Sequence, residues 1–232
     1  MANTISVKDL AVTRGSAAFI TCRFRRLASG KLVGFHFKEH FDRLIQSCEA
    51  LGLNPCPRLF TFESLQEFID ARDRVRRFKL GYSEDKETIV RIMVTAGKSW
   101  NAATTEKNKE RLIILQDFYK PPTTEPLKLK PIEGAHQAPE IKITGKYAIP
   151  KMYRDQARAE GFDDILFWDN VYGITESFSS NFFLVTKDRY LITPGDGVLY
   201  GITRNIVLKL ARASRLFADV IEYTGYKRLW LD

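Results

Sequence analysis

Cysteine, histidine, methionine and tryptophan are each scarce, at three apiece in 232 residues. An odd cysteine count with no C-x-x-C spacing argues against a disulfide framework and against a zinc knuckle. Cys48 falls at helical spacing with Phe41, Leu44 and Ile45, the place of a small core residue. No stretch approaches the roughly 20 apolar residues of a membrane-spanning helix. The opening "MANTISVKDLAVTRG" has no long apolar run, as a secretory signal would. These absences lead us to expect a soluble, cytoplasmic protein with no membrane partner. Repeats and low-complexity segments are missing as well.

What the chain does have is ordinary globular composition, 44% hydrophobic and 28% charged. The length suits one large domain or two smaller ones. Lys and Arg outnumber Asp and Glu by 36 to 28, a net charge of +8. The densest basic cluster, "RDRVRRFK" at 72–79, reads as a solvated helix face with cations near a helix C-terminus, which the dipole favours. We therefore expect no nucleic-acid partner. The charge also suits a site for small anions.

Along the chain, "AAFITCRFR", a turn at "ASGK" and "KLVGFHF" predict a hairpin. "KEHFDRLIQSCEALGL" is an amphipathic helix that Gly52 ends. A second helix is predicted from Ser64 to about Lys79, with Glu67 completing a capping box. "TIVRIMVTAG" and "ERLIILQDFY" are predicted strands. Four prolines between Pro121 and Pro131 mark a linker. The predicted division is a small N-terminal domain over 1–120, a linker over 121–134 and a second domain over 135–232. The second domain is predicted to contain a helix over 148–160, strands at "DILFWD", "SNFFLVT" and "DRYLITP", and a helix from "GITR".

Some motifs fail on inspection. "HFKEH" has a zinc-protease spacing, but His36 sits in a strand pattern before the helix begins and a third ligand is missing. "TAGKSW" lacks the first glycine of a phosphate-binding loop. "GDGVLYG" places its last glycine one residue late for a dinucleotide fingerprint. No metal site is expected.

Three other pieces make chemical sense together. "GITR" puts a helix start at 201–204, where outward N–H groups and the hydroxyl of Thr203 make a phosphate cradle. "GITESFSSNFFLV" sets Glu176 among small polar residues before an apolar strand, and such a carboxylate can hold a protonated ring nitrogen. "EHFDRL" carries Arg43, suited to bidentate phosphate contacts. With a lysine, these supply what pyridoxal 5'-phosphate needs: an amine for a Schiff base, a carboxylate for the pyridine nitrogen, and a phosphate clamp. Lys142, Lys146 and Lys151 lie within ten residues of one another.

The order of these pieces resembles the class IV, or fold type IV, pyridoxal-phosphate aminotransferases. That family includes branched-chain and D-amino-acid aminotransferases and aminodeoxychorismate lyase. The resemblance runs from about Arg14 to about Leu210, and rests on "HFDRL", "KITGKY", "DD.L..D..G.TE", "SNFF.V" and "GITR". It implies an α+β fold of two domains, a small α/β N-terminal one and a larger β-barrel-like C-terminal one, here short relative to the family. It implies Lys142 as the Schiff-base lysine, with Gly145 and Tyr147 in register. Tyr147 is implied at the cofactor's phenolic oxygen and Glu176 at its ring nitrogen. Arg43, Ile202 and Thr203 are implied at the phosphate, and Ser179 and Ser180 near the ring. The implied activity moves an amino group between an amino acid and a 2-keto acid, in a homodimer. The implied alternatives are a lyase and a family member without catalysis. The chain departs from the family at "RGSAAFI", where "RGDGVFE" is usual, and at Lys146, where asparagine is usual. The tail "GYKRLWLD" carries Leu229 and Trp230, large apolar residues expected to need a partner surface.

Overall fold

The computed structural model describes residues 5–54, 60–81, 86–98, 110–122 and 124–224. Cys56 and the tail from 225, with Leu229 and Trp230, lie outside the described residues. The chain divides by its contacts into two units. The first comprises Met1–Thr123 with Ile141–Gly145, and the second Thr124–Glu140 with Lys146–Asp232.

The first unit runs α1 (Leu10–Thr13), β1 (Ala17–Arg26), β2 (Leu32–Gly34), α2 (Phe37–Ala50), α3 (Phe62–Leu80), β3 (Thr88–Thr95) and β4 (Arg111–Phe118). Its antiparallel sheet has the order β2-β1-β3-β4. Alternation along β1 turns Ala18, Ile20, Cys22 and Phe24 to one face, where Val90, Ile92 and Val94 of β3 join them. The apolar stripes of α2 and α3 supply Leu44, Cys48, Leu65 and Ile69 to the same core. Cys48 is buried as expected. Cys22 and Cys48 are free thiols, and burial pushes each up to about 12.

Three details differ from the sequence expectations. The return strand of the hairpin stops at Gly34, and His36 is the left-handed residue before α2, at φ 50°. The cap of α3 is Thr61, not Ser64. The Ser64 N–H donates to Thr61 Oγ1 at 3.1 Å, and the Thr61 N–H donates to Ser64 Oγ at 3.1 Å, so serine fills the place usual for glutamate. The basic cluster at the end of α3 is not simply solvated. Arg77 is buried, as are Asp73 and Arg26, and Asp73 accepts from both guanidiniums, at 2.6 Å from Arg26 and 2.7 Å from Arg77.

The second unit runs β5 (Leu129–Glu133), a 3₁₀ turn (Gly145–Tyr147), α4 (Ala148–Ala159), β6 (Asp164–Asp169), β7 (Gly173–Ser177), β8 (Leu184–Val185), β9 (Tyr190–Pro194), α5 (Ile202–Ala213) and β10 (Asp219–Tyr223). Gly145 itself belongs to the first unit. The strands form two sheets, β5-β6-β7 and β10-β9-β8, and among the described residues they do not close into a barrel. The stretch 121–134, expected as a linker, contains β5. Proline fits there because β5, paired among the described residues only with β6, is an edge strand, where a missing N–H need not break a ladder. Ile165 and Phe167 of β6 pack with Ala157 of α4. The parallel pair β9–β10 is joined through α5, whose buried Arg204 donates to the Pro194 carbonyl at 2.6 Å and to Glu222 at 2.7 Å. No helix among the described residues is long and apolar enough to cross a membrane.

Candidate active site

In the first unit, the segment bearing Lys142 is joined to β1 by an isolated antiparallel bridge between Ala18 and Ile143. The Phe19 N–H donates to the Lys142 carbonyl at 3.0 Å, and the Thr144 N–H to the Ala17 carbonyl at 2.9 Å. The Lys142 N–H donates to Ser47 Oγ of α2 at 3.1 Å. Two glycines allow the approach. A Cβ on Gly15 would stand 2.5 Å from Gly145 Cα, and Gly15 has φ +65°. The backbone of Lys142 is thus fixed on three sides. Its ammonium lies 4.9 Å from the centroid of the Phe19 ring, and the Arg91 guanidinium 5.3 Å from it, so both cations sit against one aromatic ring.

Arg43 is on α2, half-buried. It shares a neighbour with Lys142. His40, one turn earlier, is only 9% exposed, and burial followed by the Arg43 cation pushes its imidazole down to about 4, with Lys142 adding in the same sense. Glu39 acts in the opposite sense and is outweighed, so His40 is neutral at pH 7. Sequence reasoning missed it. Its spacing three residues before Arg43 is the signal that could have found it.

The other expected residues belong to the second unit. Glu176 lies within β7, because "GITES" pairs with β6 across a bulge. It is 5% exposed. Its Oε2 accepts from the Leu199 N–H at 3.2 Å and from Asn181 Nδ2 at 3.4 Å. Asn181 also donates to the Leu199 carbonyl at 2.7 Å, and so ties β7 to the loop before α5. A Cβ on Gly201 would meet Asn181 Oδ1 at 2.2 Å, so any other residue there would have to push that amide aside. Neither Asn181 nor Leu199 was expected; the asparagine of "SSNFF" carried the signal. Tyr147 ends the 3₁₀ turn, its ring 5.8 Å from those of both His136 and Phe178. Ser179 and Ser180 are exposed in a tight turn, where the Ser180 N–H donates to Ser177 Oγ at 3.1 Å. Ile202 and Thr203 open α5. Its N-cap, Gly201, offers no side-chain acceptor to the first turn.

The three lysines separate clearly. Lys146 is buried, and its Nζ donates to the Pro139 carbonyl at 3.0 Å. Lys151 is exposed on α4, paired with Asp155 at 2.5 Å. Lys142 is the one joined to β1.

The element order and sheets define a fold type IV transaminase fold. The sequence profile described as Amino-transferase class IV matches residues 18–223, and the chain belongs to that family. The chain is 29% identical over 194 residues to a probable branched-chain-amino-acid aminotransferase of Rickettsia typhi, a match covering 81% of this chain and 63% of that protein. It thus spans less than two thirds of that relative's length. Among solved structures, it is similar to a putative 4-amino-4-deoxychorismate lyase of Legionella pneumophila. There the TM-score is 0.76 at 22% identity, over 98% of this chain and 80% of that one. It is also similar to a hypothetical aminotransferase from Mycobacterium tuberculosis, solved in an alpha-ketoglutarate and PMP bound form. That likeness has a TM-score of 0.71 at 17% identity, over 97% of this chain and 76% of that one.

Proposed function

We propose that the protein is a pyridoxal 5'-phosphate-dependent aminotransferase that moves an amino group between an amino acid and a 2-keto acid. The observation that carries this reading is Glu176, a buried carboxylate whose Oε2 is held by two donors. Such a group is suited to keeping a pyridine nitrogen protonated. The donor set fits the cofactor. Lys142 supplies the amine, Tyr147 a phenol for the ring oxygen, and Arg43 a guanidinium for the phosphate. The uncapped start of α5 at Ile202 and Thr203 supplies N–H groups for the same anion. Ser179 and Ser180 are assigned to the ring's surroundings.

When bound, the cofactor supplies an electron-withdrawing ring that stabilises negative charge at the substrate Cα. Lys142 then carries the proton that leaves Cα. Its backbone, fixed by Phe19, Ala17 by way of Thr144, and Ser47, limits the arc that Nζ can sweep. A neutral His40 adds no further cation beside Arg43 and Lys142, both of which act on it. The same family reading takes the protein as a cytoplasmic homodimer, which light scattering of the purified protein tests.

The test is to add pyridoxal phosphate, reduce with borohydride and map the modified peptide. Label on Lys142, absent in Lys142→Ala, is expected. Label on Lys146 would move the Schiff base four residues. No specific label on folded protein would overturn the reading. Pyruvate formed without an amino acceptor would assign a lyase in place of an aminotransferase.

A further inference from the structure

His136 lies six residues before Lys142, outside the motifs that carry the family resemblance. It is 5% exposed. Its loop has positive φ on both sides, +135° at Gly134 and +44° at Ala138. An alanine held in the left-handed region is strained, and persists only where the surroundings over-determine it. The Gly134 N–H donates to the Trp168 carbonyl at 2.8 Å, which anchors the loop to β6. The imidazole is thereby turned into the second unit.

There it meets two of the assigned residues. Nε2 stands 3.3 Å from the Ser177 carbonyl and 4.0 Å from Glu176 Oε1. A carbonyl only accepts, so the tautomer that satisfies this contact carries its proton on Nε2 and donates it to the Ser177 carbonyl, with Glu176 Oε1 alongside but beyond hydrogen-bond distance. The ring packs at 5.8 Å against Tyr147, and edge-on at 5.2 Å against Phe167.

We infer that His136 is a positioning residue that orients Glu176 and Tyr147 toward the cofactor ring; the inference rests on the function proposed above. The bond from Nε2 to the Ser177 carbonyl fixes the backbone next to Glu176, and the imidazole stands as a wall 4.0 Å from Oε1, while Leu199 and Asn181 hold Oε2. Its ring limits the swing of the Tyr147 phenol. An ionised, oriented Glu176 is what a protonated pyridine nitrogen needs. The effect of His136 is therefore read in the affinity and absorbance of bound cofactor, not in turnover alone.

The test compares wild type, His136→Leu and His136→Gln. Each is titrated with pyridoxal phosphate and followed by visible absorbance, after thermal melts of the cofactor-free proteins. His136→Leu removes the donor and is expected to bind about tenfold more weakly, with a shifted absorbance band. His136→Gln, which restores an N–H at similar reach, is expected to recover most of both. Should His136→Leu not fold, His136→Asn replaces it, with the same loss expected because its amide falls short. Wild-type affinity and absorbance in the donor-less variant would overturn the inference alone. So would equal losses in the glutamine and leucine variants. A wild-type protein that takes up no pyridoxal phosphate would overturn the proposed function, and the inference with it.

Discussion

Gly15 and His40 show how single residues set the surroundings of Lys142 and Arg43 in the first unit. A Cβ at Gly15 would collide with the backbone of Gly145, which cannot move as a flexible side chain could. Its φ of +65° adds a left-handed penalty for any other residue. Gly15→Ala is therefore expected to cost about 2–3 kcal/mol in urea unfolding, and to lower borohydride labelling of Lys142 in the protein that remains folded. His40 makes a pH prediction. The unfolded chain takes up a proton below its ordinary 6.5, whereas the folded chain resists until about 4. The unfolded state then binds more protons, so stability falls as pH drops from 6.5 and levels off below about 4. The loss amounts to as much as about 3 kcal/mol. Urea midpoints measured across that window are expected to lose this component in His40→Leu. An unchanged slope would mean that His40 is not buried neutral.

At the scale of elements, α3 is tied to its sheet by charge as well as by Leu65 and Ile69. Burial alone would raise the carboxyl of Asp73. Hydrogen bonds from Arg77, Arg26 and Thr88 outweigh that and hold it below its ordinary range. Its contribution is present above the ordinary carboxylate pKa and is lost as pH falls. Asp73→Asn leaves Arg26 and Arg77 buried without their anion, and is expected to cost about 3–5 kcal/mol. Thr61→Ala removes only the cap of the same helix and is expected to cost about 1 kcal/mol. Chemical denaturation of the two variants separates network from cap. The amphipathic helices and the β-branched strands were legible because their signal is local, a period of 3.6 or 2. The Arg26–Asp73 pair was not, since its partners are 47 residues apart and each looks like a surface charge. Pro131 hid β5, because only sheet order shows that a strand lies at an edge. Glu176 was singled out with its motif, but the strand that holds it was not. Its strand is five residues long, and what defines it is pairing with β6 across a bulge.

At the scale of the whole molecule, the bridged segment that carries Lys142 closes a long loop. Thr144 Oγ1 donates to the Gly15 carbonyl at 2.7 Å across 129 residues of chain. The contacts of β1 with β2, and of β3 with β4, close far shorter loops and can form first. Loop-closure entropy grows with length, so a contact this distant is favourable only after its docking surface exists. β1 offers that surface once it has paired with β3, because the ladder fixes the Ala17 carbonyl and the Phe19 N–H that the returning segment meets. Docking of Ile141–Gly145 is thus expected after the rate-limiting step of folding. Thr144→Val keeps the shape and removes the hydroxyl donor, a loss of about 1 kcal/mol. That loss is expected almost wholly in the unfolding rate, which rises about fivefold while refolding is unchanged. Stopped-flow chevrons of wild type and Thr144→Val measure both arms. A refolding rate slowed by the whole loss would place the Lys142 segment in the folding nucleus, docked with the core instead of onto it.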